Sequence, residues 1–409
     1  MKEKKRRLSR SICRGLFLCM LSLLAGIYTY ALLSIPETIR VRDGESWGSD
    51  WVRLETEETQ WITVNENTIE KSTAIETTGN ASVQGTVKLW GVLPLKSVSL
   101  EVWEDRELLV GGSMLGIDLY TDGILVLGTG KIETESGSVS SPAKGIVHTG
   151  DRIRKVNGVE VSSVEQVDAL IAESGGEAVI LELTREGTLQ TVSVTPILDQ
   201  NHMPRIGIWI RDRAQGLGTL TFVDPASGMF GAVGHGISDV DLETVLPVQD
   251  GLITEAKIRH LVKGEKGEPG EVEGSLTGIV SGRVTKNTDM GVYGTYQGDV
   301  STMQSLPIAL RDDITEGEAV IYSDILEDTV RAYTVQIEKT SGIPVFDTGL
   351  VVTITDERLL NATGGVIQGM SGCPLVKDGM LIGAVTHVFV NDPTRGYGVY
   401  IEDMLSQIA

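Results

Sequence analysis

Apolar and polar positions alternate with different periods along this chain, and each period predicts an element. Residues 15–36 contain no charged side chain. At 1.5 Å per residue, a helix of that length crosses the ~30 Å hydrocarbon core of a bilayer. Residues 37–108 are more polar, with Trp47, Trp51 and Trp61 among hydrophilic neighbours, and Val87 to Val102 shows strand-like alternation. Ile117 to Leu127 alternates again. Val164 to Ala172 has apolar residues at helical spacing, and Val179–Thr184 and Gln190–Val194 return to a period of two. From residue 198 onward, short apolar runs recur between Gly-rich turns, as in Arg205–Ile210, Gly216–Val223, Leu276–Val280, Ala319–Tyr322 and Gly349–Ile354. This spacing predicts one β-barrel or a pair of barrels. Lys263–Gly270 briefly mimics collagen, but so few triplets cannot hold a triple helix, and a surface turn is predicted.

Charge sharpens the picture at both ends. The chain carries a net charge of −21, which argues against nucleic acid, because a phosphate-binding surface needs Lys and Arg. Residues 1–14 nevertheless hold seven basic side chains and one acid. A basic start before an uncharged run leaves the N-terminus in the cytoplasm and residues 37–409 outside. The apolar run is too long for a signal-peptide core, and no small-x-small cleavage site follows it, so a retained signal anchor is expected. Of the three cysteines, Cys13, Cys19 and Cys373, only Cys373 lies in the exported part, so no intrachain disulfide forms there. The stretch Thr59–Ser82, rich in Thr, Glu and Asn, reads as an exposed linker and a candidate processing region.

The strongest chemical signal is Gly369-Met-Ser-Gly-Cys-Pro374. A tight Gly-rich turn exposes a Ser hydroxyl and aims two backbone N–H groups at one point, which is what stabilising an acyl-transfer oxyanion requires. Here those amides belong to Gly369 and Ser371. The pattern resembles the nucleophile motif of chymotrypsin-like peptidases. Strand-like runs follow it, with an Asp378-Gly379 turn between two of them. A serine needs a base. Among His148, His202, His235, His260 and His387, His235 lies in a Gly-flanked site ahead of the Ser, the order found in chymotrypsin-like enzymes. His387 sits in an alternating strand and reads as structural. An orienting carboxylate could come from Asp239, Asp241, Asp289, Asp347 or Asp356, and residue chemistry alone does not choose. No metal-ligand spacing and no phosphate loop is present, so neither metal nor cofactor is expected.

Two resemblances complete the reading. Gly150-Asp-Arg-Ile-Arg-Lys-Val-Asn-Gly158 resembles the signature of a PDZ domain, with Ile153 and Val156 pointing inward and Asn157-Gly158 closing a hairpin. A PDZ domain adds an extended peptide to a sheet edge; Met114, Leu115, Gly116 and Ile117 stand where its carboxylate-binding loop is expected. Met229–Asp241 (MFGAVGHGISDVD), Gly364–Pro374 (GGVIQGMSGCP) and Gly383–Pro393 (GAVTHVFVNDP) closely resemble the stage-IV sporulation protein B peptidase family. Carried over, that family's catalytic residues fall on His235, Ser371 and Asp356, the last in Ile354-Thr-Asp-Glu357. Cys373 stands where the family usually has a small Ser-like residue, and reads as a partly buried support of the turn.

The chain is thus expected to be mainly β: 1–36 a basic tail and signal-anchor helix, 37–108 a juxtamembrane strand-rich stretch, 109–197 a PDZ domain, and 198–409 a chymotrypsin-like β-barrel serine peptidase. The resemblance implies self-cleavage and cleavage of a membrane-bound regulator of an intramembrane protease. It places this in the space between forespore and mother-cell membranes, in the signalling that activates sigma-K. The alternatives are a PDZ scaffold with an inactive peptidase domain, and an HtrA-like quality-control protease. HtrA-like proteases normally carry the PDZ after the catalytic domain.

Overall fold

The computed structural model describes most of residues 81–339 and 349–408, with short stretches between 20 and 56. Residues 1–19, 43–51, 57–80, 240–243 and 340–348 lie outside the described residues, together with scattered single positions. The processing region, most of the apolar run 15–36, and the candidates Asp241 and Asp347 therefore lie largely or wholly outside them. No helix among the described residues is long and apolar enough to cross a membrane.

The chain divides into two compact units, 1–106 with 339–349 and 409, and 107–338 with 350–408. The first holds a four-stranded sheet of β1 (Thr38–Arg42), β2 (Val52–Thr56), β3 (Ala81–Leu89) and β4 (Leu93–Trp103), in the order β1-β4-β3-β2. Ile35, Ile39, Val87, Leu95 and Val98 form its core.

The second unit begins with β5 (Glu107–Val110) and the long β6 (Met114–Thr129). After two short strands come β7 (Arg152–Val156), α1 (Val164–Glu173), β8 (Val179–Arg185) and β9 (Thr188–Val194). These build the PDZ fold. Ile153 and Val156 are fully buried with Val167, Leu181 and Leu183, and Asn157 and Gly158 form the turn after β7. The α1 N-terminus is capped by Ser163, whose hydroxyl accepts from the Gln166 N–H. Asp151, 1% exposed, is held by Arg185 Nε and Nη2.

The chain then enters β10 (Ile208–Val223), followed by β11 (Met229–Ala232), β12 (Val248–Val262), β13 (Glu271–Thr288) and β14 (Gly291–Tyr296). Pairings run β6–β12–β13–β14–β11–β10 and return to β6, so six strands close a ring. Leu115, Ile117, Leu119, Leu220, Phe230 and Ile253 fill it. The last six strands and two helices are β15 (Gly317–Ser323), β16 (Arg331–Lys339), β17 (Leu350–Ile354), α2 (Glu357–Thr363), β18 (Pro374–Lys377), β19 (Met380–Phe389), β20 (Asp392–Tyr400) and α3 (Ile401–Leu405). Their strands form a second closed barrel, ordered β15-β16-β17-β20-β19-β18. Of the two arrangements the spacing allowed, one barrel or a pair, the strand pairings form a pair.

The expected boundaries 109–197 and 198–409 require correction. β6 and β10 are each too long for one domain. Their inner parts, from Met114 to Tyr120 and from Arg213 to Thr219, pair as walls of the first barrel, while Leu125–Thr129 and Ile208–Arg211 pair within the PDZ sheet. The PDZ domain is thus inserted into the first barrel, whose strands begin at β6, ahead of it in sequence.

Candidate active site

Ser371 lies in the turn before β18, and His235 in the turn after β11, so the candidate nucleophile and the candidate base come from different barrels. The Ser371 hydroxyl donates to the Thr386 carbonyl at 2.5 Å. The next residue, His387, stacks on His235 with ring centroids 4.3 Å apart. These contacts gather Ser371, Thr386, His387 and His235 into one site. His235 Nδ1 lies 2.9 Å from the Gly236 carbonyl. A carbonyl only accepts, so Nδ1 carries the proton and Nε2 is left as the acceptor, the tautomer a general base requires. Burial, and to a lesser degree His387, lower the His235 pKa below the ordinary imidazole value, while the Gly236 bond opposes them. Burial also lowers that of His387. Uncharged imidazole at neutral pH follows from both.

Gly369 and Ser371, expected to supply the oxyanion amides, both lie in this turn. Among the described residues neither backbone N–H has a hydrogen-bond partner. Gly369 and Gly372 adopt φ of +103° and +97°, and a Cβ on Gly372 would lie 2.1 Å from the Thr219 carbonyl oxygen. Only glycine fits where the Ser turn meets β10. On the other side of this contact Val233 sits at φ +72°, a strained conformation for a β-branched residue, in the turn that carries His235. Cys373 is completely buried, more than its sequence suggested, and burial pushes its thiol up to about 12. It supports the turn and is no nucleophile at neutral pH.

Asp356 is placed differently from the role given to it. Its carboxylate accepts from the Arg358 and Leu359 N–H groups, capping α2, and pairs with Arg358 Nε and Nη2 at 3.1 and 2.8 Å. The Arg358 guanidinium is the main cause holding its pKa low. The His235 Nδ1 position is taken by the Gly236 carbonyl instead. Met114, Leu115, Gly116 and Ile117 are not a peptide-capturing loop. Leu115, Gly116 and Ile117 pair with β10 on one side and β12 on the other, and all four are buried. Both backbone edges are used, so no ligand strand can add there. In the PDZ fold the open edge belongs to Ile208–Ile210 of β10: β6 pairs with one side, and no strand among the described residues pairs with the other. A cavity of about 250 Å³ beside it is lined by Ile206, Gly207 and Ile208, by Asp168 and Ile171 of α1, and by Lys131–Glu133. Sequence reasoning missed this edge; it weighed His387 and read it as structural, and the alternating strand gave no sign that its ring meets His235.

Comparison with known proteins places the chain in a family. The model of the SpoIVB peptidase S55 family matches residues 201–405, and that of the PDZ domain residues 136–185. Among solved structures, the PDZ domain of the SdrC-like protein from Listeria monocytogenes is 21% identical; the match covers 22% of this chain and 87% of that one, at a TM-score of 0.18. Its counterpart from Listeria innocua is 23% identical, covers 20% and 93%, and scores 0.17. Scores this low carry no weight for the architecture as a whole. A search of curated proteins finds no match. With a Ser turn presenting two open amides, a histidine in the basic tautomer, and a family match over half its length, the chain belongs to the SpoIVB peptidase S55 family and is a serine peptidase.

Proposed function

We propose that the protein is a membrane-anchored, extracytoplasmic endopeptidase. On this reading it cleaves itself, and then a membrane-bound regulator of an intramembrane protease, in the sporulation signalling that activates sigma-K. The observation that carries the peptidase chemistry is the pair of open Gly369 and Ser371 amides beside the Ser371 hydroxyl. The Ser371 Oγ–H turns from the Thr386 carbonyl to His235 Nε2. Oγ attacks the scissile carbonyl carbon, its proton passes to His235, and the two amides receive the oxyanion. Collapse breaks the C–N bond, and the leaving amine takes the proton from His235. Water activated by the same imidazole then releases the acyl group. The Gly236 carbonyl fixes the tautomer, a task the family resemblance assigns to Asp356.

Two further features support the biological reading: the basic start before the uncharged run 15–36, which suits an anchor with an exported body, and the family match. The open edge of β10 beside α1 suits β-addition of a peptide, from the chain's own N-terminal region or from a target. A PDZ domain built into the barrel also separates this chain from HtrA-like proteases. The experiment compares the full chain in detergent as wild type and as Ser371→Ala, followed by mass spectrometry and by labelling with a fluorophosphonate. Wild-type shortening within the N-terminal 108 residues, with labelling, both absent in Ser371→Ala, is the expected result. Labelling without shortening removes self-cleavage. Absence of both leaves the scaffold reading in its place.

A further inference from the structure

The Ser turn belongs to the second barrel, yet its carbonyls are held largely from the first. The Gln368 carbonyl accepts from the Val272 N–H at 2.9 Å, and the Gly369 N–H is open. The Gly369 carbonyl accepts from Thr219 Oγ1 at 2.9 Å, and the Met370 N–H donates to the Ile367 carbonyl. The Met370 carbonyl accepts from the Cys373 N–H, and the Ser371 N–H is open. The Ser371 carbonyl accepts from the Thr219 N–H at 2.9 Å, while the Gly372 N–H donates to Val385. The Gly372 carbonyl accepts from Thr221 Oγ1 at 2.8 Å. The two peptide groups with open N–H ends therefore flank a third, Gly369–Met370, which is pinned at both ends.

That middle group decides the site. The angle between the two open N–H groups depends on the dihedrals of Gly369 and Met370, and the middle peptide fixes ψ of the first and φ of the second. Gly369, at φ +103°, has the widest conformational freedom of any residue. What holds its carbonyl is a single hydroxyl, on a residue that is 0% exposed and sits on β10. The Thr219 carbonyl in turn accepts from the Val233 N–H, two residues before His235. One residue thus touches the backbone of the nucleophile turn at two carbonyls and that of the base turn at one amide. We infer that Thr219 is a positioning residue for the peptidase reaction, whose hydroxyl sets the Gly369 and Ser371 N–H groups at the angle that receives the oxyanion.

The inference rests on the peptidase chemistry proposed above, and the test separates the two. The full chain is labelled with a fluorophosphonate over a range of concentrations, which gives a saturation constant for reagent binding and a maximal rate for attack of Ser371 on phosphorus. The phosphoryl oxygen lies in the oxyanion site during that attack. Thr219→Val keeps the shape and the backbone N–H but removes the hydroxyl; it is expected to lower the maximal rate roughly 100-fold, the scale of one lost oxyanion donor, with the saturation constant within about threefold. Thr219→Ser restores the hydroxyl and is expected to stay within about threefold of wild type in rate. Thr221→Val removes an equally buried hydroxyl bond that does not adjoin an open N–H, and is expected to remain at least about tenfold faster than Thr219→Val. A Thr219→Val protein that labels at the wild-type rate overturns the assignment. So do equal losses in Thr219→Val and Thr221→Val, which would report loosened packing alone. Should Thr219→Val not fold, Thr219→Ser still decides, because a fall of tenfold or more with the hydroxyl retained is incompatible with the role. A wild-type chain that does not label overturns the peptidase chemistry itself, and the positioning role with it.

Discussion

Asp356 and His235 show how one side chain's role turns on its immediate partners. Thr-Asp just ahead of a Ser turn suits a triad carboxylate, but Asp-Glu-Arg at the start of a helix also suits an N-cap, and the fold uses it as one. An N-cap of this kind contributes about 1 kcal/mol. Asp356→Ala is therefore expected to destabilise the chain by about that amount, read from urea unfolding. Asp356→Asn keeps a capping oxygen and discriminates further. Retained fluorophosphonate labelling agrees with the Gly236 carbonyl as the group that fixes the His235 tautomer. A loss near 10⁴-fold at unchanged stability would instead place the carboxylate at His235. Cys373 was legible as a non-nucleophile because the turn geometry belongs to Ser371. That Thr219 and His387 reach the site was not legible: Thr219 stands in no motif, and the family-like stretch Gly383–Pro393 contains His387 without showing that its ring meets that of His235.

Among elements, β6 and β10 matter most. Alternation along Ile117–Leu127 and along the two runs from Arg205 and Gly216 announced strands, but the sequence shows no break where each passes from barrel to PDZ sheet. Bulges mark the passage: the β6–β10 register shifts between Arg211 and Arg213. A domain cut at the sequence boundaries and one cut at the bulges therefore have opposite outcomes. Deleting 109–197 removes the inner half of β6, a barrel wall that pairs with both β10 and β12, and no folded peptidase is expected. Replacing residues 121–212 by Asn-Gly joins Tyr120 to its partner Arg213 through a two-residue hairpin turn and preserves the ring. That excision is expected to give a cooperatively melting protein that still labels at Ser371. The reverse ranking of the two constructions in thermal melts would contradict the insertion.

At the scale of the whole second unit, the barrels are tied across the site. Val272 and Gly270, near the tip of the β12–β13 hairpin, exchange hydrogen bonds with Gln368, and Gly264 donates to the Thr363 carbonyl. Asp324, after β15, accepts the Met114 N–H of the first barrel at 3.0 Å. Burial raises its pKa from 3.8 to about 6. Between these values the folded chain holds a proton that the unfolded chain has released, so this carboxyl makes stability fall as pH rises from the lower value to the higher. Asp324→Asn cannot ionise and keeps an acceptor for Met114. The stability difference between wild type and Asp324→Asn is expected to shift in the variant's favour as pH rises through that window, and to be flat above it, in urea titrations. No change in the difference would show that Asp324 is not desolvated.

Local patterns determined a great deal here. Alternation, turn residues and the Ser and His motifs are short-range features, and strands, hairpins, the PDZ signature, and the candidate nucleophile and base all follow from neighbours within a few residues. They also pointed to barrel architecture, as one barrel or a pair, because turn spacing is local, while the pairing of remote strands decided that there are two. Only the tertiary structure decided how far each strand runs and which side of it is taken. It moved Met114–Ile117 from an open loop to a buried barrel strand, paired on both sides from Leu115 to Ile117, inserted the PDZ between two strands of that barrel, and gave the open edge to Ile208–Ile210. It also set the partners of the candidate catalytic groups, with the Gly236 carbonyl at His235 and Thr219 beneath the Ser turn. The physical reason is that a backbone group has one strong partner at a time, and which one it finds depends on chain segments far away in sequence.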